Sequence, residues 1–481
     1  MRLLVCVLTL VAASTATAAA RPLFGPAAIP RLVNVDEPAI SPDGKAIAAV
    51  VVRQDVQRAR YVNSLVLVRA DDGAVRTLVR GRDVAVPRWA PDGRALAYVA
   101  RTARAGTRQL FVRRAAATQQ LTAAAADVID FAWSPDGRQI AYVAADPAAG
   151  GAFFYAGDND YTAAALTPPD HLWVVPAAGG RSRRLTRGSW TIAPTDPGGI
   201  FSPQIAWTHD GRSITLTRVE NTFSGDSERS ALWNVDAVSG AMRKLTQHSE
   251  LELSPAYSPG GGSLTYWYPL GGDFNSENTL RLIAGGNDSN LTARLDRNIA
   301  GARWFPDGRH LLICAADHTQ MTAWTVDLGG GVAPFPTGDL HIVCDPYSSA
   351  TFDSGIDADI ARDGSIAFVA TSATRARELY LLRPGATIPR QLTHFNDFLS
   401  SFAIGRMEQL EWTGPGGFAE NGVVTYPATP ANPRSKAPIV LLIHGGPGLS
   451  STRDFAWEQW PLAQTIASRG YVVLQPNYRG S

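Results

Sequence analysis

The sequence predicts an all-β chain built as a seven-bladed β-propeller, followed by the opening of a parallel α/β sheet that stays incomplete. Three observations predict it: a turn repeated seven times, a second recurrent Leu-Thr signature, and a change of pattern after Thr393. Internal repeats come first in the reading, because a missed repeat miscalls the whole architecture.

The first twenty residues read as a secretory signal peptide. Met1-Arg2 is a short basic start, Leu3 to Ala13 an apolar run too short to span a bilayer, and Ala18-Ala19-Ala20 a small-residue cleavage site. A secreted or periplasmic location is expected, and no later segment is apolar for long enough to span a membrane. The 44 Lys+Arg residues are balanced by 43 Asp+Glu, scattered without a basic stripe. A nucleic-acid partner is therefore not expected, and 45% hydrophobic residues exclude a disordered chain.

The repeated turn is Ser41-Pro42-Asp43-Gly44, with further copies at residues 90–93, 134–137, 208–211, 258–261, 305–308 and 361–364. Each copy suits a tight hairpin. A small or hydroxyl residue opens it in most copies, Pro presets φ, Asp bonds nearby amides, and Gly occupies the position where a side chain would clash. A strand-forming run follows each turn, and an aromatic residue precedes most of them: Trp89, Trp133, Trp207, Tyr257 and Trp304. The second signature ends another strand pair at Leu121-Thr122, Leu185-Thr186, Leu245-Thr246, Leu291-Thr292 and Leu392-Thr393. Two hairpins per unit give four strands, and seven such units over residues 33–394 predict seven blades. The interval between the third and fourth turns is stretched by an insertion near residues 146–170, which carries Asp158 and Asp160. A long loop of this kind is able to reach over a propeller face toward a ligand.

Cys314 and Cys344 are the two cysteines left after the leader, in a compartment that permits a disulfide. The apolar run Leu311-Leu312-Ile313-Cys314 favours a buried free thiol over a bridge, with the Cys314–Cys344 disulfide as the other reading. The eight His residues show no metal-ligand spacing, so neither metal nor cofactor is expected.

Residues 395–481 follow a different pattern. A strand pair flanks Gly414-Pro415-Gly416-Gly417, and a Pro-rich linker leads to Pro438-Ile439-Val440-Leu441-Leu442-Ile443, a run expected to be buried on both faces. It ends in His444-Gly445-Gly446-Pro447-Gly448. A helix is expected over residues 461–469 with Gly470 as its stop, then a second buried strand over residues 471–474. A Gly-rich loop at the carboxyl end of such a strand lets backbone N–H groups point at the oxyanion of an acyl-transfer reaction.

Seven propeller units, the His444-Gly445-Gly446-Pro447 loop and the later Asn477-Tyr478-Arg479-Gly480 segment resemble the prolyl oligopeptidase family of serine peptidases. The closest type is its secreted bacterial dipeptidyl aminopeptidase and acylaminoacyl peptidase members. The resemblance implies an α/β-hydrolase domain capped by the propeller, short peptides as substrates, and cleavage through an acyl-enzyme. It also implies Gly445 and Gly446 as oxyanion-hole candidates, with His444 orienting the loop rather than acting as a base. In dipeptidyl-peptidase members a Glu pair in a propeller insertion holds the substrate's amino terminus; the insertion here has only Asp158 and Asp160 as weak counterparts. The family's nucleophile lies in a Gly-x-Ser-x-Gly elbow, followed by an Asp and a His. No Gly-x-Ser-x-Gly occurs in the 481 residues, and Ser450 and Ser451 lie on no elbow. No catalytic residue is therefore assigned, and the chain is expected to be an inactive amino-terminal fragment. The alternative is a secreted propeller that acts as a binding or scaffold module, for which residues 438–481 have no need.

Overall fold

A computed structural model of the chain describes residues 21–102, 106–147, 168–193, 203–222, 229–248, 250–273, 276–344, 355–428, 436–445, 450–455 and 459–479. The predicted leader and the Asp158/Asp160 segment lie outside them. Seven antiparallel sheets follow one another along residues 33–391, each of four or five strands, and an eighth, mixed sheet occupies residues 407–477.

One inner strand of each of the seven sheets, its first apart from the short Thr191–Ile192 of sheet 4 and His341–Ile342 of sheet 7, crowds against the others. These inner strands are Val33–Ile40, Ala85–Trp89, Val128–Trp133, Ile205–Trp207, Leu253–Tyr257, Ile299–Trp304 and Ala358–Ile360. Those of sheets 1 and 2, 3 and 4, 4 and 5, and 6 and 7 touch, and that of sheet 7 touches that of sheet 1, so the series closes on itself. No sheet mixes strands from the two ends of the series. Side chains close the ring instead. Asn396 accepts a hydrogen bond from the Val33 N–H at 2.9 Å and returns one to the Val33 carbonyl. Arg377 pairs with Asp36 at 2.6 Å, and Val35, Ile47, Val369 and Leu379 pack across the seam.

Both repeated signatures have a mechanical role. In the turns, Asp43, Asp92, Asp136, Asp210 and Asp307 each accept the N–H of the residue two positions on. The Ser134 hydroxyl, before the backbone amide, holds the Asp136 carboxyl below its ordinary range. Gly93 (φ +73°) and Gly137 (φ +69°) lie against the Pro of the preceding turn, where an added Cβ would sit 3.4 and 3.7 Å from Pro42 and Pro91. Pro135 and Pro259 lie against Gly211 and Gly308 in the same way, so four of the turns place a proline on the glycine of the next. The tryptophan before four of the turns is an inter-sheet tie: the Trp89, Trp133, Trp207 and Trp304 indole N–H groups donate to the Ala39, Arg88, Ala132 and Ala256 carbonyls. At the Leu-Thr signature the Thr hydroxyl accepts from the third strand, as in Thr122 to Leu110, Thr186 to Leu172, Thr292 to Leu280 and Thr393 to Leu379. That bond seals a strand end whose amide would otherwise be buried without a partner.

Cys314 and Cys344 form a disulfide, which corrects the free-thiol expectation. Cys314 is in the second strand of sheet 6 and Cys344 precedes the inner strand of sheet 7. The ring brings their Cα atoms to 6.5 Å, a proximity that sequence separation does not reveal.

The eighth sheet runs in the order Met407–Thr413, Ala419–Thr425, Val472–Asn477, Ile439–Leu441. The first three strands are antiparallel neighbours, and Ile439–Leu441 pairs parallel to Val472–Asn477. The helix Gln459–Ala467 joins the parallel pair as a crossover, with Pro461 in its first turn and Gly470 (φ +90°) beyond its end. The expected doubly buried run at 438–443 is corrected here: Ile439, Leu441 and Ile443 are 67%, 52% and 65% exposed. This strand is short and lies at the sheet's edge, paired on one side among the described residues.

The eighth sheet docks on the hairpins joining second and third strands of sheets 6 and 7. Asp454 pairs with His341 and accepts the Met321 N–H; Arg453 reaches Thr319 and Gln320. Trp460, 1% exposed, donates to the Ala373 carbonyl and packs with Phe24 and Phe455. Since strands alternate in direction, the repeated turns lie at the opposite end of the ring from this contact.

Candidate functional site

The Gly-rich loop leaves the carboxyl end of Ile439–Leu441, and the next parallel strand clamps both of its ends. Tyr478 stacks on the His444 ring with centroids 4.7 Å apart, and its hydroxyl donates to the His444 carbonyl at 2.9 Å. Asn477, 6% exposed, accepts the Ser451 N–H at 2.6 Å and donates to the Ser451 carbonyl and to Asn421. Arg479 lies 3.9 Å over the Phe418 ring. The Asn-Tyr-Arg run therefore fixes where the loop starts and stops, using the register between the two parallel strands.

The predicted site residues fare differently. His444 is half-buried and held through its ring and its carbonyl. A Cβ added at Gly445 would meet nothing within 4 Å, so no close backbone neighbour requires glycine there. Gly446, Asp158 and Asp160 lie outside the described residues. The Ser451 side chain is buried, and its hydroxyl has no hydrogen-bond partner among the described residues. Among these residues no three His, Cys, Asp or Glu side chains are arranged to hold a metal, and no helix is long and apolar enough to cross a membrane.

A second site, which the sequence reading missed, lies on the ring's axis. It is a cavity of about 520 Å³ lined by the inner strands of the sheets, Glu37, Arg88, Ser254, Arg303, Asp357 and Asp359 among them. Bulges turn these residues inward: Glu37, Val86 and Ser254 have φ of 53°, 55° and 54°, each just before a Pro, and pairing slips a residue beside each. Pro38, Pro87 and Pro255, each three residues before its turn, are the signal by which sequence alone marks this belt.

The belt links sheet to sheet. Asp359 accepts from the Ile40 N–H, Asp357 from the Glu37 N–H at 3.0 Å, and Glu37 from the Val86 N–H at 2.5 Å. Arg88 pairs with Asp130 at 2.9 Å, Asp130 accepts from the Gln204 N–H, and Gln204 exchanges bonds with Ser254. Arg303 donates to the Ile356 and Ala358 carbonyls. Burial above all pushes the Glu37 carboxyl up to about 8 and that of Asp357 up to about 7, with neighbouring acidic charge adding to both.

Fold and loop together define a class: a ring of β-sheets carrying a four-stranded mixed sheet with a clamped Gly-rich loop. The chain is 24% identical to a probable dipeptidyl-peptidase 5 of Aspergillus niger over 47% of its own length and 30% of the relative's. It is 23% identical to dipeptidyl-peptidase 5 of Porphyromonas gingivalis over 57% and 39%. It is 24% identical to the uncharacterized peptidase YuxL of Bacillus subtilis over 94% and 70%. The matches to the two dipeptidyl-peptidases thus span well under half of those proteins. Among solved structures, an acylaminoacyl peptidase of Pyrococcus horikoshii aligns with a TM-score of 0.73 at 17% identity, covering 95% of this chain and 67% of that one. The β-propeller domain of the Trilobed protease from Pyrococcus furiosus aligns at 0.53 and 15% identity, covering 76% and 97%. No protein-family profile matches the chain. The named relatives and structural neighbours support the resemblance to the prolyl oligopeptidase family of serine peptidases.

Proposed function

We propose that this chain is the propeller and the start of the catalytic domain of a serine-type peptidase that hydrolyses short peptides through an acyl-enzyme. In this reading residues 1–20 are a leader, 33–394 a seven-bladed propeller that gates access, and 395–481 the beginning of an α/β-hydrolase domain. The mature protein works outside the cytoplasm. The observation that carries the reading is the clamp on the Gly-rich loop: Asn477 and Tyr478 hold Ser451 and His444, the two ends of the segment from which an oxyanion donor would come. A plain turn between strands needs no such double anchorage.

The nucleophile must come from an elbow serine, and the 481 residues contain no Gly-x-Ser-x-Gly. The chain alone is therefore inactive in this proposal. Incubation with a fluorophosphonate probe and with aminoacyl anilides tests it. Neither labelling nor turnover is expected from the purified chain, while a form extended through an elbow serine, an Asp and a His is expected to show both. Labelling of the 481-residue chain at Ser450 or Ser451 would overturn the assignment.

A further inference from the structure

Most acidic side chains of the axial belt have a cationic neighbour. Asp36 has Arg377, Asp130 has Arg88, and the positive charge of Arg303 acts on Asp359. Glu37 and Asp357 lie within reach of Arg88 and of Arg377 and Arg303 respectively, but among the described residues neither forms an ion pair. One oxygen of each is used by a backbone N–H, and the other, Glu37 Oε1 or Asp357 Oδ2, is buried with no hydrogen-bond partner among the described residues. Asp357 is 3% exposed, and both residues line the cavity. A buried carboxyl oxygen without a partner is costly, so a pair of them at a cavity wall points to a donor that arrives from outside.

We propose that the axial cavity binds a primary ammonium group, held between Glu37 Oε1 and Asp357 Oδ2. The geometry selects the cation. A guanidinium fork matches two oxygens of one carboxylate, and here each carboxylate has only one to offer. An ammonium carries three divergent N–H donors and reaches one oxygen on each strand. The cavity extends to the turn end of the ring, remote from the eighth sheet. There Pro42, Pro91 and the exposed Arg362 line the cavity, with Arg362 donating to the Pro91 carbonyl.

Binding is linked to protons. With the two carboxyls at about 8 and about 7, both are largely neutral in mild acid and ionise as pH rises, so an ammonium binds by displacing protons. Asp36, beside Glu37 on the same strand, favours the cation; Arg88, Arg303 and Arg377 oppose it. Affinity therefore increases from about pH 6 to about pH 8, while a lysine-type amine keeps its charge throughout.

The ammonium has two natural sources, a peptide's amino terminus and a lysine side chain. Calorimetric titration of the whole chain with Gly-Gly-Gly amide, N-acetyl-Gly-Lys-Gly amide and N-acetyl-Gly-Gly-Gly amide separates them. At least one charged peptide is expected to bind with proton release, and the uncharged one is not. Glu37→Gln and Asp357→Asn are each expected to weaken binding by roughly tenfold or more, the loss of one charge-assisted hydrogen bond. If Asp357→Asn fails to fold, Glu37→Gln carries the same expectation, because its amide oxygen still accepts the Val86 N–H. No binding by either charged peptide, equal binding by the uncharged one, unchanged affinity in the variants, or tighter binding of calcium than of the lysine peptide would each overturn the proposal. The readout is binding, so its failure is distinct from failure of the peptidase reading.

Discussion

Leu311-Leu312-Ile313-Cys314 and Ile439-Val440-Leu441-Leu442-Ile443 are nearly the same text, yet they meet opposite fates. The first is the second strand of a four-stranded sheet inside the ring, and its four side chains are all 0% exposed. The second is an edge, with Ile439 67% and Ile443 65% exposed. An apolar run states that a strand prefers burial; neighbouring sheets decide whether it gets any. Within the ring every sheet has two neighbours and the inter-sheet ties recur from turn to turn. Among the described residues the eighth sheet packs on the hairpin end of sheets 6 and 7 and on the segments that carry Phe24, Leu32 and Leu399.

That contrast is open to direct attack. The largest effect is expected at the junction: Trp460→Ala removes a buried ring and its bond to Ala373, costing about 3–5 kcal/mol. Calorimetry should then resolve two unfolding transitions, the first belonging to the eighth sheet; one cooperative transition at a lower temperature would mean that the two regions fold as a unit. Ile313→Ala is expected to cost about 2–5 kcal/mol in the same measurement. Its counterpart Leu441→Lys should stay within about 0.5 kcal/mol of the parent, so a large loss there would show that something covers this edge in solution.

Between those extremes lies the disulfide. Replacing both Cys314 and Cys344 by Ala is expected to cost about 2–4 kcal/mol, seen as a lower denaturant midpoint of the ring. The smallest effect in neutral buffer concerns the axial acids. Glu37 is raised from 4.5 to about 8 and Asp357 from 3.8 to about 7, so the folded ring binds more protons than the unfolded chain between these limits. The stability they contribute is whole below about pH 4 and declines as pH rises through the folded values. Melting temperature should fall over that window, and Glu37→Gln should flatten its upper half; a rise with pH would refute the burial of neutral carboxyls.

Much of this was legible in the residues. The Ser-Pro-Asp-Gly turns, the preceding Trp and the Leu-Thr ends each make contacts only a few strands away, so a local pattern repeated in sequence becomes a local structure repeated in space. The His444 loop was legible for the same reason, since strand, loop, helix and strand are consecutive. The clamp was half legible: Asn477 and Tyr478 stood out as a motif, but their grip on Ser451 and His444 depends on the register of two parallel strands.

By itself the sequence determined the repeating unit, its number of copies and the change of pattern after residue 393, because short-range turn chemistry and strand propensity dictate them. Ring closure decided the rest. Asn396 meets Val33 and Cys344 meets Cys314 only because the last sheets return to the first or lie beside one another. Glu37 and Asp357, 320 residues apart, become neighbours on one axis for the same reason. Contacts at such separation depend on how several sheets pack around a common centre, and no single stretch of chain contains that information.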